Sequence, residues 1–152
     1  FVGIAAHALE SYQGSPGWLL TVENLTTFHQ CAELLGESGI GLVIYTAGMP
    51  SPAWLHAYST ILSGTRNETP VYHWGDHDEG GFRIAAHIAK ACRAANRQLQ
   101  PWLMTPAAGT PATRAQHAAM LAKARHAGWA ALADRLPALL CEQEFQTPAL
   151  PE

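Results

Sequence analysis

Glu23, Asp76 and Asp78 are the residues on which a reaction could be built. Glu23 follows the apolar run Trp18-Leu19-Leu20-Thr21-Val22. The two aspartates stand in Gly75-Asp76-His77-Asp78-Glu79-Gly80-Gly81, just past the run Val71-Tyr72-His73-Trp74. Successive side chains of an extended chain point to opposite sides, so Asp76 and Asp78 share a side and His77 faces away. If the two apolar runs are neighbouring strands, three carboxylates converge at one edge of a sheet. Carboxylates that close repel one another and raise each other's pKa. A hard divalent cation relieves that repulsion, and Mg²⁺, with Mn²⁺ as an alternative, takes oxygen ligands while leaving room for waters and phosphate oxygens. Gly80 and Gly81 let the backbone turn sharply into a helix and let a phosphate come close. A lone Asp-x-Asp is more often a turn or helix cap. Its place past a buried strand, with a glycine pair and a matching glutamate, favours the metal reading over the cap.

The elements that must position these residues alternate. Trp18 to Val22 reads as a buried strand entered through the turn Gly14-Ser15-Pro16-Gly17. A helix over Leu25 to Leu35 follows, closed by Gly36 or Gly39. Gly41 to Thr46 is a second strand, and Ser51-Pro52 opens a helix that runs to Ser63 and stops at Gly64. Val71 to Trp74 is the third strand, a long helix covers Glu79 to Asn96, and Gln100 to Met104 is the fourth strand. Strand–helix alternation with short connections means a parallel sheet with helices on both faces, whose ligands lie beyond the carboxyl ends of the strands. The catalytic unit is therefore expected over 1–104, with 1–17 as a lead-in segment. Residues 105–152 form a helical C-terminal extension. In it, one helix opens at Thr110-Pro111 and runs to His126, and another begins at Trp129, is interrupted by Pro137 and resumes over Leu139 to Phe145. That extension is expected to cover an edge of the sheet or to dock a partner.

At 152 residues the chain fits one domain, and with 48% apolar and 14% charged residues it is a folded globular protein. A formal net charge of −3 gives no sign of a general affinity for nucleic acid. Contact with DNA then requires a local basic patch, a metal or a neighbouring domain. Cys31, Cys92 and Cys141 are odd in number and far apart, which fits free thiols in a reducing cytoplasm. No apolar run approaches the roughly 20 residues that cross a bilayer, so no membrane association is expected. The chain starts at Phe1 with no basic leader, which suggests a piece of a longer protein whose N-terminal DNA-binding region lies elsewhere.

The run Thr21-Val22-Glu23-Asn24-Leu25, with Gly75 to Ile84, resembles the Toprim domain of topoisomerase-primase proteins. Within that group the Asp-x-Asp-x-x-Gly step into a helix is similar to the topoisomerase VI A-subunit branch. Glu-Asn after the first strand, Gly48-Met49-Pro50-Ser51 after the second and Gly-Asp-x-Asp-x-x-Gly after the third resemble, more closely still, the C-terminal domains of the JetD family. JetD proteins are the nuclease subunits of Wadjet plasmid-defence systems. The likeness covers about residues 18–104 and, more loosely, Glu142-Gln143-Glu144.

The resemblance implies a Toprim (Rossmann-like) α/β fold with a parallel four-stranded sheet. It also implies Mg²⁺-dependent cleavage of double-stranded plasmid DNA, with Glu23, Asp76 and Asp78 as metal and acid–base residues. SMC-type defence-complex subunits as partners, and a homodimer in the full-length form, are implied as well. Topoisomerase relatives attack the phosphate with a tyrosine from a winged-helix domain. Tyr12, Tyr45, Tyr58 and Tyr72 sit in no such domain, and Tyr45 and Tyr72 lie inside strands, so hydrolysis by metal-activated water is the expected chemistry unless a domain outside this chain supplies the nucleophile.

Arg83, Lys90, Arg93 and Arg97 fall within about 80° of arc on the third helix at 100° per residue. Ile84, Ile88, Ala91, Cys92 and Ala95 occupy the other side. The basic stripe is either a solvated face or a track for DNA phosphates. The eight histidines show no zinc pair at i, i+4 on one helix, and only His77, between two proposed ligands, invites a test. Asn24 either caps the helix after it or touches substrate. Two rival functions remain open: a non-catalytic module that docks DNA or partners, and an aspartate-based phosphotransferase or phosphatase. The second needs a nearby lysine, and the chain has only Lys90 and Lys123.

Overall fold

The computed structural model describes residues 4–38 and 40–152. Strands β1 (Trp18–Val22), β2 (Gly41–Tyr45), β3 (Val71–Trp74) and β4 (Leu99–Pro101) form one parallel sheet in the order β2-β1-β3-β4. β1 takes an inner position because all five of its residues can be buried. A strand covered on both faces needs such an unbroken apolar run. Its one polar side chain, Thr21, is satisfied by donating to the Tyr72 carbonyl at 3.1 Å and lies 2.9 Å from His73 Nδ1.

Helices α1 (Leu25–Ser38), α2 (Pro52–Ser63) and α3 (Glu79–Ala94) follow β1, β2 and β3. From β1 the chain passes to β2 on one side, whereas β3 lies on the other side of β1 and leads outward to β4. Right-handed crossovers then place α1 on one face and α2 with α3 on the other, and α2 packs against α3. The connections diverge between β1 and β3, and the crevice beyond their carboxyl ends is where such a sheet binds its ligands. Phe82, Ile84, Ala85, Ile88, Ala89 and Cys92 line the buried face of α3. Each large apolar side chain among them contributes about 1.5–3 kcal/mol. Ser51 caps α2 by accepting the Trp54 amide, with Pro52 at its first turn.

The C-terminal region carries two helices, α4 (Arg114–His126), packed against α3, and α5 (Ala130–Ala133). Its details differ from the expectation at two places. Thr110–Pro111 is a short strand, β5, and α4 starts after Thr113, whose side chain forms a capping box with Gln116. Leu139 to Phe145 does not resume a helix. Leu139–Leu140 is β6, antiparallel to β5, and Gln143–Phe145 is a single 3-10 turn. The backbone groups of this stretch are satisfied across the fold, by β5 and by His77, rather than within a helix. Elsewhere α1 runs past Gly36 to Ser38, and Gly39 lies outside the described residues. β4 begins at Leu99, one residue earlier than expected, and ends at Pro101. Among the described residues no helix is long and apolar enough to cross a membrane.

The basic stripe is shorter than four residues. α3 ends at Ala94 rather than Asn96, because Asn96 adopts a left-handed backbone at φ 55°. Arg97 therefore leaves the helix and turns inward, where it is only 6% exposed. Its guanidinium donates to the Leu62 carbonyl at 3.5 Å, to Thr65 Oγ1 at 3.3 Å and to the Thr69 carbonyl. These groups lie between the end of α2 and the start of β3, so Arg97 is a structural cross-brace and not a DNA contact. Arg83, Lys90 and Arg93 stay exposed, and Arg93 Nη1 reaches the His126 carbonyl at 3.4 Å. Arg97→Met should destabilise the fold by about 1–3 kcal/mol, the range for stranding a buried acceptor. A urea melt reads the loss, and a shift below about 0.5 kcal/mol, the usual range for surface substitutions, would contradict the brace.

Candidate active site

Strand register builds the site. Val22 pairs with Trp74 at the end of β1 and β3, and the Glu23 amide donates to the Trp74 carbonyl at 3.2 Å. The ladder thus continues one residue past β1 before the chains part. The Glu23 side chain then reaches across, and its Oε2 accepts the Asp76 amide at 3.2 Å. Gly75 makes this approach feasible. A Cβ there would lie 2.7 Å from Glu23 Oε2 and 2.9 Å from His73 Nε2. Gly81 has a similar role, since its Cβ would meet the Asp76 carbonyl oxygen at 2.1 Å. Only a glycine lets the first turn of α3 sit this close to the aspartate loop.

Asp76 and Glu23 are in contact, and Asp78 stands beside them as the N-cap of α3. Its Oδ1 accepts the Gly81 amide at 2.8 Å. Asn24 caps α1, its Oδ1 accepting the Thr27 amide at 3.0 Å. His77 is fully buried. Its Nδ1 lies 2.8 Å from the Leu139 carbonyl, its backbone bridges to Cys141, and its ring meets Phe82 edge-on at 5.3 Å. It fastens the C-terminal segment to the aspartate loop.

Electrostatics sets the carboxylates apart from ordinary surface acids. Burial pushes Glu23 up to about 7, the Asp76 and Asp78 charges add to the rise, and the hydrogen bond from the Asp76 amide opposes it. Burial also raises Asp76, helped by Asp78 and Glu144 and opposed by the amide of Gln143. The donors that Glu23, Asp76 and Asp78 offer are carboxylate oxygens, the kind that suits a hard divalent cation. Among the described residues no three His, Cys, Asp or Glu side chains stand close enough to hold a metal ion as they lie. The structure therefore bonds the Glu23 carboxylate to the backbone amide of Asp76 and leaves the Asp78 carboxylate turned to its helix.

Sequence patterns miss what the C-terminal segment adds. The Gln143 amide donates to Asp76 Oδ1 at 2.7 Å, and a cleft of about 460 Å³ opens beside Asp78, lined by Gly109, Leu140, Cys141, Glu142 and Phe145. The one signal in the sequence was the acid pair flanking Gln143, with nothing to say that it folds back across 67 residues.

A family profile described as Wadjet protein JetD, C-terminal, matches residues 3–146. The chain belongs to the JetD C-terminal family. A Wadjet protein JetD from Bacillus cereus (strain Q1) is 30% identical over 87 residues, covering 57% of this chain and 20% of that protein. The chain thus spans about a fifth of the length of the curated relative it matches. No solved structure matches it with significance. The JetD family match takes in both carboxylate loops and runs through Gln143.

The raised Glu23 has a consequence for the metal-free protein. Its folded value of about 7 exceeds its ordinary 4.5, so the folded state holds a proton that the unfolded chain releases. The stability from this group is complete below about pH 4.5 and is lost as pH rises through about 7. His73 acts oppositely: burial lowers it to about 3, so its contribution is present above its ordinary 6.5 and lost as pH falls. The two overlap, and the difference between wild type and Glu23→Gln isolates the glutamate. That difference should shift against the wild type between pH 4.5 and 8 in urea melts with EDTA. A pH-independent difference would mean that Glu23 is not held in this environment.

Proposed function

We propose that the chain is the catalytic module of a metal-dependent DNA nuclease of Toprim type, serving a Wadjet plasmid-defence protein. The observation that carries this reading is the contact of Glu23 with the Asp76 amide at the switch point of the sheet, with Asp78 on the same loop. Membership of the JetD family supports it. Asp76 and Asp78 would hold Mg²⁺ or Mn²⁺, and Glu23 would serve as a third ligand or take up a proton during attack by water. When bound, the cation supplies positive charge against the phosphodiester.

The residues fit such a cation in donor type and in their mutual repulsion, which in its absence favours carboxylates held apart. Asp78 would have to share its carboxylate between the cation and the Gly81 amide, which its Oδ1 accepts. Arg83 and Lys90, exposed on α3 behind the aspartate loop, would meet DNA phosphates. The cytoplasm, SMC-type partner subunits and a homodimeric full-length protein belong to the same reading. A second reading, a module that docks DNA or partners without cutting, draws on the engagement of Asp78 as a helix cap and on the lack, among the described residues, of a ready-made three-ligand set.

Nicking of supercoiled plasmid with Mg²⁺ or with EDTA separates the two. Asp78→Asn is the sharpest variant, because asparagine caps a helix as well as aspartate does and the fold is kept. Asp78→Asn, Asp76→Asn and Glu23→Gln should each lower metal-dependent nicking by at least about 10²-fold. Undiminished nicking by the Asp76→Asn/Asp78→Asn double variant would overturn the site. Arg83→Glu with Lys90→Glu should weaken DNA binding and reduce the salt slope by about one unit per lost phosphate contact. An unchanged slope would make the stripe a solvated face.

A further inference from the structure

We propose that Gln143 is a positioning residue for the carboxylate site, a buried strut that fixes the ends of β1 and β3 relative to each other. The inference rests on the metal reading above and deepens it. Gln143 is fully buried although both its neighbours, Glu142 and Glu144, are exposed. Its backbone amide donates to Asp76 Oδ1 at 2.7 Å. Its side-chain Oε1 accepts the Asn24 amide at 2.8 Å, and its Nε2 donates to the Trp74 carbonyl at 3.0 Å.

These three bonds bracket the site. Asn24 follows Glu23 in the chain, and Trp74 stands two residues before Asp76. One side chain therefore holds the backbone on which Glu23 is mounted and the backbone from which Asp76 departs. The same residue's amide orients the Asp76 carboxylate. The task needs a donor and an acceptor at the tip of one side chain, which a primary amide supplies. Asparagine has the amide without the reach, and methionine the reach without the amide. The strut is itself held in place, because Cys141 exchanges backbone hydrogen bonds with His77 on the aspartate loop, at 2.7 and 3.3 Å.

Such a brace acts on ligand geometry more than on global stability. Each neutral hydrogen bond adds only about 0.5–1.5 kcal/mol net to the fold. Groups that orient metal ligands typically change metal affinity by about 10–100-fold when removed. A role confined to packing would lower the melting temperature and leave cation affinity intact in the molecules that remain folded.

The test is Mn²⁺ titration without DNA, followed by calorimetry at a temperature well below each variant's melting point. Gln143→Met keeps the volume, and Gln143→Asn provides a second measurement should the first fail to fold. Either folded variant should bind Mn²⁺ about 10–100-fold more weakly than wild type. Amide hydrogen exchange should quicken at Asn24 in both. Wild-type Mn²⁺ affinity in a folded variant would overturn the strut and leave the metal site standing. So would weakened binding with unchanged exchange at Asn24. A wild-type chain that binds no Mn²⁺ would fail differently, removing the metal reading and this inference together.

Discussion

Val22 and Trp74 lie side by side where β1 and β3 end, and the bond from the Glu23 amide to the Trp74 carbonyl carries that pairing beyond the strand. The rest of the site depends on this register. A slip of one residue would send every side chain of the strand to the opposite face. The slip is prevented by burial, because both faces of β1 are covered and Trp18, Leu19, Leu20 and Val22 are all packed in the core. Hydrophobic patterning thus does chemical work at a distance, fixing where the first carboxylate must emerge relative to the second.

Bringing carboxylates together out of water is unfavourable, and the fold offsets it in one consistent way. Each of the three accepts a backbone amide: Glu23 from Asp76, Asp76 from Gln143, and Asp78 from Gly81. Fixed amide dipoles stabilise negative charge without cancelling it, so the site remains acidic and incompletely compensated. Burial first, and the neighbouring Asp76 and Asp78 charges after it, push Glu23 up to about 7 despite the amide it accepts. In the proposed function a cation completes the compensation, and the amides keep the carboxylates oriented until it arrives.

Much of this was legible in the residues. Short apolar runs bounded by glycine and proline gave β1 and β3 their observed limits, and Ser51-Pro52 marks the helix start at α2, whereas the cap role of Asp78 at α3 was passed over for the metal reading. These signals are local, which is why they can be read. What escaped is non-local or conformational. Arg97 follows the helical stripe in a projection, yet one left-handed residue, Asn96, turns it into the core. Leu139 and Leu140 suit a helix as well as a strand, and only their partners β5 and His77 decide between them. Gln143 has no local signature, because its significance lies in contacts 119 residues away at Asn24 and 67 at Asp76.

The distribution of charge bears on how such a site could meet a polyanion. The chain carries a net charge of −3, Glu23, Asp76 and Asp78 lie at one end of the sheet, and Arg97 is withdrawn into the interior. Arg83, Lys90 and Arg93 remain on the open face of α3, with the N-terminal end of its dipole toward the aspartate loop. Non-specific affinity for a duplex grows with the number of phosphates neutralised, and three cations opposed by a net negative charge neutralise few. In the proposed reading, this module supplies chemistry and little grip. On that proposal the DNA would be delivered by other parts of a longer protein, since this chain spans about a fifth of its curated relative. A weakly binding catalytic unit would rarely cut DNA that it merely encounters. Cleavage would then depend on a partner or domain raising the local concentration of DNA at the carboxylates, and selectivity would rest with whatever performs that delivery.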